Sequence, residues 1–196
     1  NVSREILQHN RVMAKIKSSS VKKVLSELEN MLKNDRDKYV EFFKEFGVPV
    51  KEGLYQDFDN KDKLTDLVMF KSSVVDGYTT LAEYKERMLP EQNAIYYITG
   101  TDETHLKNSP LLEMYKNKSI EVLILDHDID EIIISSVPKY SDVDLKSVNR
   151  SDSANDLKTE GNKEQEKEIE PLIKRIKDVL GDRVKDVKAS ARLSDS

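Results

Sequence analysis

Ala94-Ile95-Tyr96-Tyr97-Ile98-Thr99, closed by Gly100, is the stretch that decides the fold. A short run of apolar, aromatic and β-branched side chains, stopped by a glycine, reads as a buried strand. Downstream, Ser109-Pro110 predicts a helix start with proline at its first position, and Leu111, Leu112 and Tyr115 form its inner face. Residues 120–125 form a second apolar strand. Residues 129–137 are ambiguous in periodicity and helical if they repeat the preceding unit. Residues 143–148 alternate apolar and polar and read as an edge strand. Strand, helix, strand, helix, strand implies crossover connections, hence a largely parallel sheet with helices packed on it.

Upstream of Pro90 the pattern is helical. Val21, Leu25, Leu28 and Leu32 recur at spacings of four, three and four, predicting a helix over 11–33 whose apolar face Met13 and Ile16 extend. Asn34-Asp35 restarts a helix carrying Tyr39, Phe42, Phe43 and Phe46, which Gly47 ends before Pro49. Two or three short helices are expected over 50–89, with Leu54, Leu64, Leu67, Val68, Leu81 and Tyr84 buried and Thr79 or Thr80 capping the last.

Beyond the strands, residues 150–168 hold Leu157 among Ser, Asp, Asn, Lys and Glu, the composition of a linker or disordered loop. Ile169, Leu172, Ile173, Ile176, Val179 and Leu180 then trace an amphipathic helix, with Pro171 in its first turn and Gly181 as its stop. Val184, Val187 and Ala189 suggest one more strand. A helix and a strand cannot close a core alone, so this tail reads as the start of a second domain. The expected division is a helical part over 1–90, a small α-β-α subdomain over 91–149, a linker over 150–168 and a further domain beginning at 169.

Charged residues make up 35% of the 196-residue chain and hydrophobic ones 37%, which implies a modest core and a heavily charged surface. A net charge of −5 with interleaved signs argues against general binding to nucleic-acid backbones. No apolar run approaches the roughly 20 residues of a membrane helix. The chain has no Cys, which removes thiolate and disulfide chemistry and fits a reducing compartment. A cytoplasmic location is the expectation.

The chain opens on Asn1-Val2-Ser3-Arg4-Glu5-Ile6-Leu7-Gln8. This octet resembles the catalytic loop in the middle domain of the heat-shock-protein-90 chaperones. The resemblance continues through Tyr96-Tyr97-Ile98-Thr99-Gly100, Lys107-Asn108-Ser109-Pro110-Leu111-Leu112, Glu121-Val122-Leu123 and Ile129-Asp130-Glu131. It extends to Leu180-Gly181-Asp182-Arg183-Val184 and Arg192-Leu193-Ser194-Asp195. His127-Asp128 departs from the family's pattern at a helix cap. The likeness implies the rear of a middle domain joined to the front of a C-terminal domain, a segment of a longer chaperone that assists protein folding. It also implies an ATPase in the parent protein, with ATP and magnesium held by a separate upstream domain. No activity is expected of this chain alone. The implied partners are client proteins, co-chaperones and a second protomer, with no specific nucleic acid and no membrane. A non-catalytic protein-interaction module is the alternative.

By the same resemblance, Arg4 is the residue that reaches the γ-phosphate, and Asn1 and Gln8 are its companions in the loop. A long, permanently charged, multi-donor side chain suits charge developing on a transferring phosphoryl group. Read without the resemblance, Arg4 is a surface arginine in a first helical turn. Gln8 lies four residues on, on the same helix face, and either orients phosphate or water or is simply solvated. Asn1 makes a turn contact or is a terminal residue without one. Asp126-His127-Asp128-Ile129-Asp130-Glu131 is superficially ligand-like, but acids where a strand ends and a helix begins are expected to cap amides. His9, His105 and His127 show no triad or metal-ligand spacing. The six Gly residues never cluster into a phosphate-cradling loop.

Overall fold

The structure is a computed structural model that describes residues 11–150 and 171–180, together with Val184 and Val187. Two long helices come first, α1 (Arg11–Asn34) and α2 (Arg36–Gln56), separated only by Asp35, whose side chain caps α2 by accepting from the Lys38 amide. The 3₁₀ turn Phe58–Asn60 leads into α3 (Lys61–Leu67). A hairpin follows, β1 (Met69–Ser72) and β2 (Tyr78–Thr80), then α4 (Leu81–Arg87). The crossover region comprises β3 (Ala94–Thr99), α5 (Glu103–Lys107), the 3₁₀ turn Pro110–Leu112, α6 (Glu113–Asn117), β4 (Val122–Leu125) and α7 (Asp128–Ser136). The two-residue β5 (Lys139–Tyr140) and β6 (Val143–Ser147) complete the sheet. Residues 171–180 form a further helix, α8, with Pro171 in its first turn.

The six strands lie in the order β2-β1-β4-β3-β6-β5. The centre is parallel: β3 pairs with β4 (Tyr96 opposite Val122) and with β6 (Tyr96 opposite Lys146). Antiparallel strands flank it, with β1 against β2 and β4 on one side and β5 against β6 on the other. Alternation along the strands divides the core in two. Ile95, Leu123 and Leu125 face α1–α4 and α7. Ala94, Tyr96, Ile98, Val122 and Ile124 face α5 and α6, around Leu106, Leu112 and Tyr115. Because β4 and β6 sit on opposite sides of β3, right-handed crossovers must leave by opposite faces. The result is an α-β-α layered unit with a mixed sheet and a parallel centre.

The structure corrects four expectations. First, the hairpin β1–β2 lies where only helices were anticipated. Leu54, Leu64, Leu67, Val68, Leu81 and Tyr84 are nonetheless all buried. Second, α2 does not end at Gly47. A Cβ there would come within 2.8 Å of the Phe43 ring, so Gly47 serves helix packing rather than termination. Pro49 continues the helix on its exposed side, where water can serve the carbonyl it leaves unbonded. Third, Met13 and Ile16 are 45% and 53% exposed. Ile16 precedes the buried Leu25 by nine residues, which at 3.6 residues per turn is about half a revolution out of phase. Fourth, β6 is not an edge strand, because β5 covers it.

Candidate functional site

The sequence-predicted site residues Asn1, Arg4 and Gln8, and also His9, lie outside the described residues. What the structure describes is the helix they lead into. Residues 11–20 of α1 are exposed along their whole length, and burial begins at Val21. Leu25 and Leu28 are buried, with Val21, Met31 and Leu32 packed against the same core. These residues therefore precede a helix whose C-terminal half packs on the core and whose N-terminal half is exposed. The first turn of α1 carries no acidic side chain.

Behind α1, charged side chains fasten the elements together. Lys51 on α2 and Asp130 on α7 form an ion pair of 2.6 Å with side chains 3% and 1% exposed. The Lys51 ammonium also lies 5.0 Å from the centre of the Phe70 ring, a cation–π arrangement. Asp130 further accepts from the His127 amide at 3.2 Å, which caps α7. Arg87 on α4 makes a two-point contact with the buried Glu121 at 2.9 and 2.8 Å, and Ser72 donates to the same carboxylate at 2.7 Å. Arg36 grips Glu83 at 2.7 and 3.1 Å and donates to the Tyr78 carbonyl at 2.7 Å. Glu83 and Thr80 complete a reciprocal capping box on α4. Burial alone would raise the Glu83 carboxyl, but Arg36 and the Thr80 amide outweigh it and hold the carboxyl below the ordinary glutamate value.

The parallel strands β3 and β4 send their connections to opposite faces. Just past their C-terminal ends, Lys71 pairs with Asp126 at 2.6 Å and Glu103 at 2.8 Å, and Lys107 contacts Glu103 at 2.8 Å. Burial pulls the Lys71 ammonium down, yet the hydrogen bonds it donates to both carboxylates push it up overall. Glu103 is held low, first by Lys107 and then by Lys71. Thus Asp126 and Asp130 each serve a lysine on a different element, and only Asp130 caps the helix as the sequence suggested. An open cleft of about 500 Å³ lies between α3 and β5. Within it the Tyr140 hydroxyl donates to Asp66 at 2.8 Å and Lys61 donates to the Ser136 carbonyl. Burial, then Asp66, pushes the Tyr140 hydroxyl up to about 12.

Sequence reasoning missed these ion pairs because, apart from Lys107 and Glu103, their partners lie far apart in the chain. One signal was available: Lys51 falls four residues after Gly47 and eight after Phe43, on the buried face of α2. A lysine on an apolar stripe asks for a buried carboxylate.

A three-layered α/β unit with a mixed sheet and a parallel centre agrees with the fold expected from the motifs. The model of the Hsp90 protein family matches residues 1–196, and the chain belongs to that family. Over 193 residues it is 50% identical to the chaperone protein HtpG of Borreliella afzelii, covering 98% of this chain and 31% of that protein. Over 204 residues it is 50% identical to HtpG of Treponema denticola, covering 100% and 32%. The chain thus spans about a third of the length of these relatives. Among solved structures, the middle domain of a Plasmodium falciparum heat shock protein is similar, with TM-score 0.67 and 33% identity. That match covers 73% of this chain and 61% of the other.

Proposed function

We propose that this chain is the arginine-donating segment of an ATP-dependent chaperone that assists protein folding in the cytoplasm. In this reading a separate domain of the full-length protein holds ATP and magnesium. Arg4 reaches that domain and stabilises negative charge on the oxygens of the γ-phosphoryl group, with Gln8 orienting phosphate or water and Asn1 supporting the loop's turn. ATP supplies the phosphoanhydride whose cleavage drives the cycle. This chain contributes the guanidinium and the rigid support behind it. The full-length protein works as a homodimer on client proteins, with co-chaperones as further partners.

The observation that carries the reading is the position of Arg4 within Asn1-Val2-Ser3-Arg4-Glu5-Ile6-Leu7-Gln8, ahead of a helix that is exposed at the near end and packed on the core at the far end. The match to the Hsp90 family across residues 1–196, and the chaperone names of relatives 50% identical, support it. The test is ATP turnover and ATP affinity in full-length protein carrying Arg4→Ala. A group acting on the transition state lowers turnover and leaves ground-state affinity nearly unchanged. Arg4→Lys is expected to restore part of the rate, because an ammonium cannot reproduce the planar fork. Unchanged turnover in Arg4→Ala would leave the non-catalytic interaction module as the better reading.

A further inference from the structure

The loop that joins β1 to β2 holds a reactive pair that the fold leaves unattached. Asp76-Gly77 is the one Asp-Gly pair in the sequence, and the sequence has no Asn-Gly pair. Residues 73–77 form the loop, and Asp76 and Gly77 are both exposed. Both flanks are held. Ser72 is buried, donates to Glu121 at 2.7 Å and accepts from the Val74 and Val75 amides at 3.0 and 3.1 Å. On the far side Tyr78 pairs with Lys71, and its carbonyl accepts from Arg36 at 2.7 Å. Between these flanks, neither the Asp76 carboxylate nor the Gly77 amide has a hydrogen-bond partner among the described residues. Gly77 has φ +85°, and a Cβ built on it would meet nothing within 4 Å. Backbone with few contacts to break moves locally at low cost, and a glycine has no side chain to shield its nitrogen.

We propose that Asp76 is a site of spontaneous backbone rearrangement to isoaspartate. The Gly77 nitrogen attacks the Asp76 Cγ, with the carboxyl reacting as the neutral acid. The new N–Cγ bond closes a cyclic imide, and the amide hydrogen leaves with the carboxyl hydroxyl as water. Water then adds back to the imide. Opening at Cγ restores aspartate. Opening at the main-chain carbonyl breaks its bond to the Gly77 nitrogen, so the chain runs through Cγ and the α-carboxylate is left free. Water is lost once and gained once, no electron changes hands, and mass and net charge return to their starting values. The reacting atoms belong to adjacent residues, so closure is intramolecular and is limited by how often the backbone reaches the attacking geometry. A turn that engaged the Gly77 amide or the Asp76 carboxylate would oppose this, and the β1–β2 loop engages neither. The product inserts a methylene into the connection between β1 and β2. The paired register and the Arg36 contact hold the strands on either side, so the lengthened loop bulges into solvent and the sheet persists.

The experiment ages full-length protein at neutral pH and body temperature for several weeks, beside a synthetic peptide of residues 72–85, the tryptic fragment that carries Asp76. After trypsin, isoaspartate is read as a peptide of unchanged mass and altered retention, and by fragmentation that reports a chain running through Cγ. Labelled methyl transfer by an isoaspartyl carboxyl methyltransferase gives an independent readout. Rearrangement in the folded protein is expected at a rate within about tenfold of that in the free peptide. Asp76→Glu, which would need a larger ring, is expected to abolish it. Gly77→Ala is expected to slow it by about tenfold, through the methyl group beside the nitrogen. Asp76→Glu alters an exposed side chain without partners and should melt like wild type. Gly77→Ala places alanine in a left-handed conformation; if it melts early, its synthetic peptide carries the comparison. Aspartate unchanged in the folded protein while the free peptide rearranges overturns the proposal. The same isoaspartyl signal from Asp76→Glu as from wild type also overturns it.

Discussion

At the scale of single residues, the buried Lys51–Asp130 pair shows what this highly charged sequence costs and gains. Two charges at 2.6 Å with almost no exposure are tolerable only because each satisfies the other and Asp130 also accepts from the His127 amide. Lys51→Ala should destabilise the chain by about 3–5 kcal/mol, because it strands a carboxylate away from water. Lys51→Met combined with Asp130→Leu should recover much of that loss; urea denaturation of the three variants measures both effects. If the single and double variants were equally unstable, the penalty would lie in lost packing rather than in an unpaired charge. Gly47→Ala makes a second residue-scale case. Alanine usually favours a helix by about 1 kcal/mol, but here its Cβ would meet the Phe43 ring at 2.8 Å. Phe43 is 2% exposed and has little room to yield, so we predict a net loss of about 1–3 kcal/mol.

At the scale of elements, α1 divides into a structural half and an exposed half. Leu25→Ala should cost about 2–4 kcal/mol through lost burial and the cavity left behind. Ile16→Ala, on the exposed half, should stay within about 0.5 kcal/mol of wild type. Thermal or urea unfolding distinguishes them, and equal losses would mean that the core reaches further along α1. The capping box of α4 makes stability sensitive to acid. The folded Glu83 carboxyl is held below its ordinary value of 4.5, and Glu103 likewise. A lowered folded value means that stability is fully present above the ordinary value and is lost as pH falls through the folded one. Unfolding free energy should therefore be flat near neutrality and decline below about pH 4.5. Glu83→Gln should flatten part of that decline and remove about 1 kcal/mol at pH 7; an unaltered acid profile would show that Glu83 does not contribute.

At the scale of the whole molecule, the sequence showed where the sheet's centre lies more clearly than where its edges lie. Ala94–Thr99 and the apolar run before Asp126 announced themselves, because strands covered on both faces need apolar side chains at every position. The crossover order followed from the helices between them. Met69–Ser72 and Tyr78–Thr80 did not announce themselves. They are short, and their places are fixed by pairing with Ile124 and Leu123, more than forty residues away, and by Arg36 holding the Tyr78 carbonyl. Gly47 and Pro49 misled because local stop signals were outvoted by Val50, Lys51 and Leu54, which fit the helix face Phe43 had begun. The candidate catalytic residues were legible only as a resemblance, since neither composition nor spacing distinguishes Arg4 from an ordinary surface arginine.

The most direct test of the central claim is steady-state ATP turnover in full-length wild-type and Arg4→Ala protein, with ATP affinity measured on the same samples. Loss of one charge-assisted contact to the reacting group corresponds to about 2–4 kcal/mol, or roughly 30- to 1,000-fold in rate, where chemistry limits turnover. The loss is smaller where closure limits it. The expected result is slowed turnover with nearly unchanged ATP affinity. Wild-type turnover in Arg4→Ala would contradict the claim and leave Arg4 an ordinary surface residue.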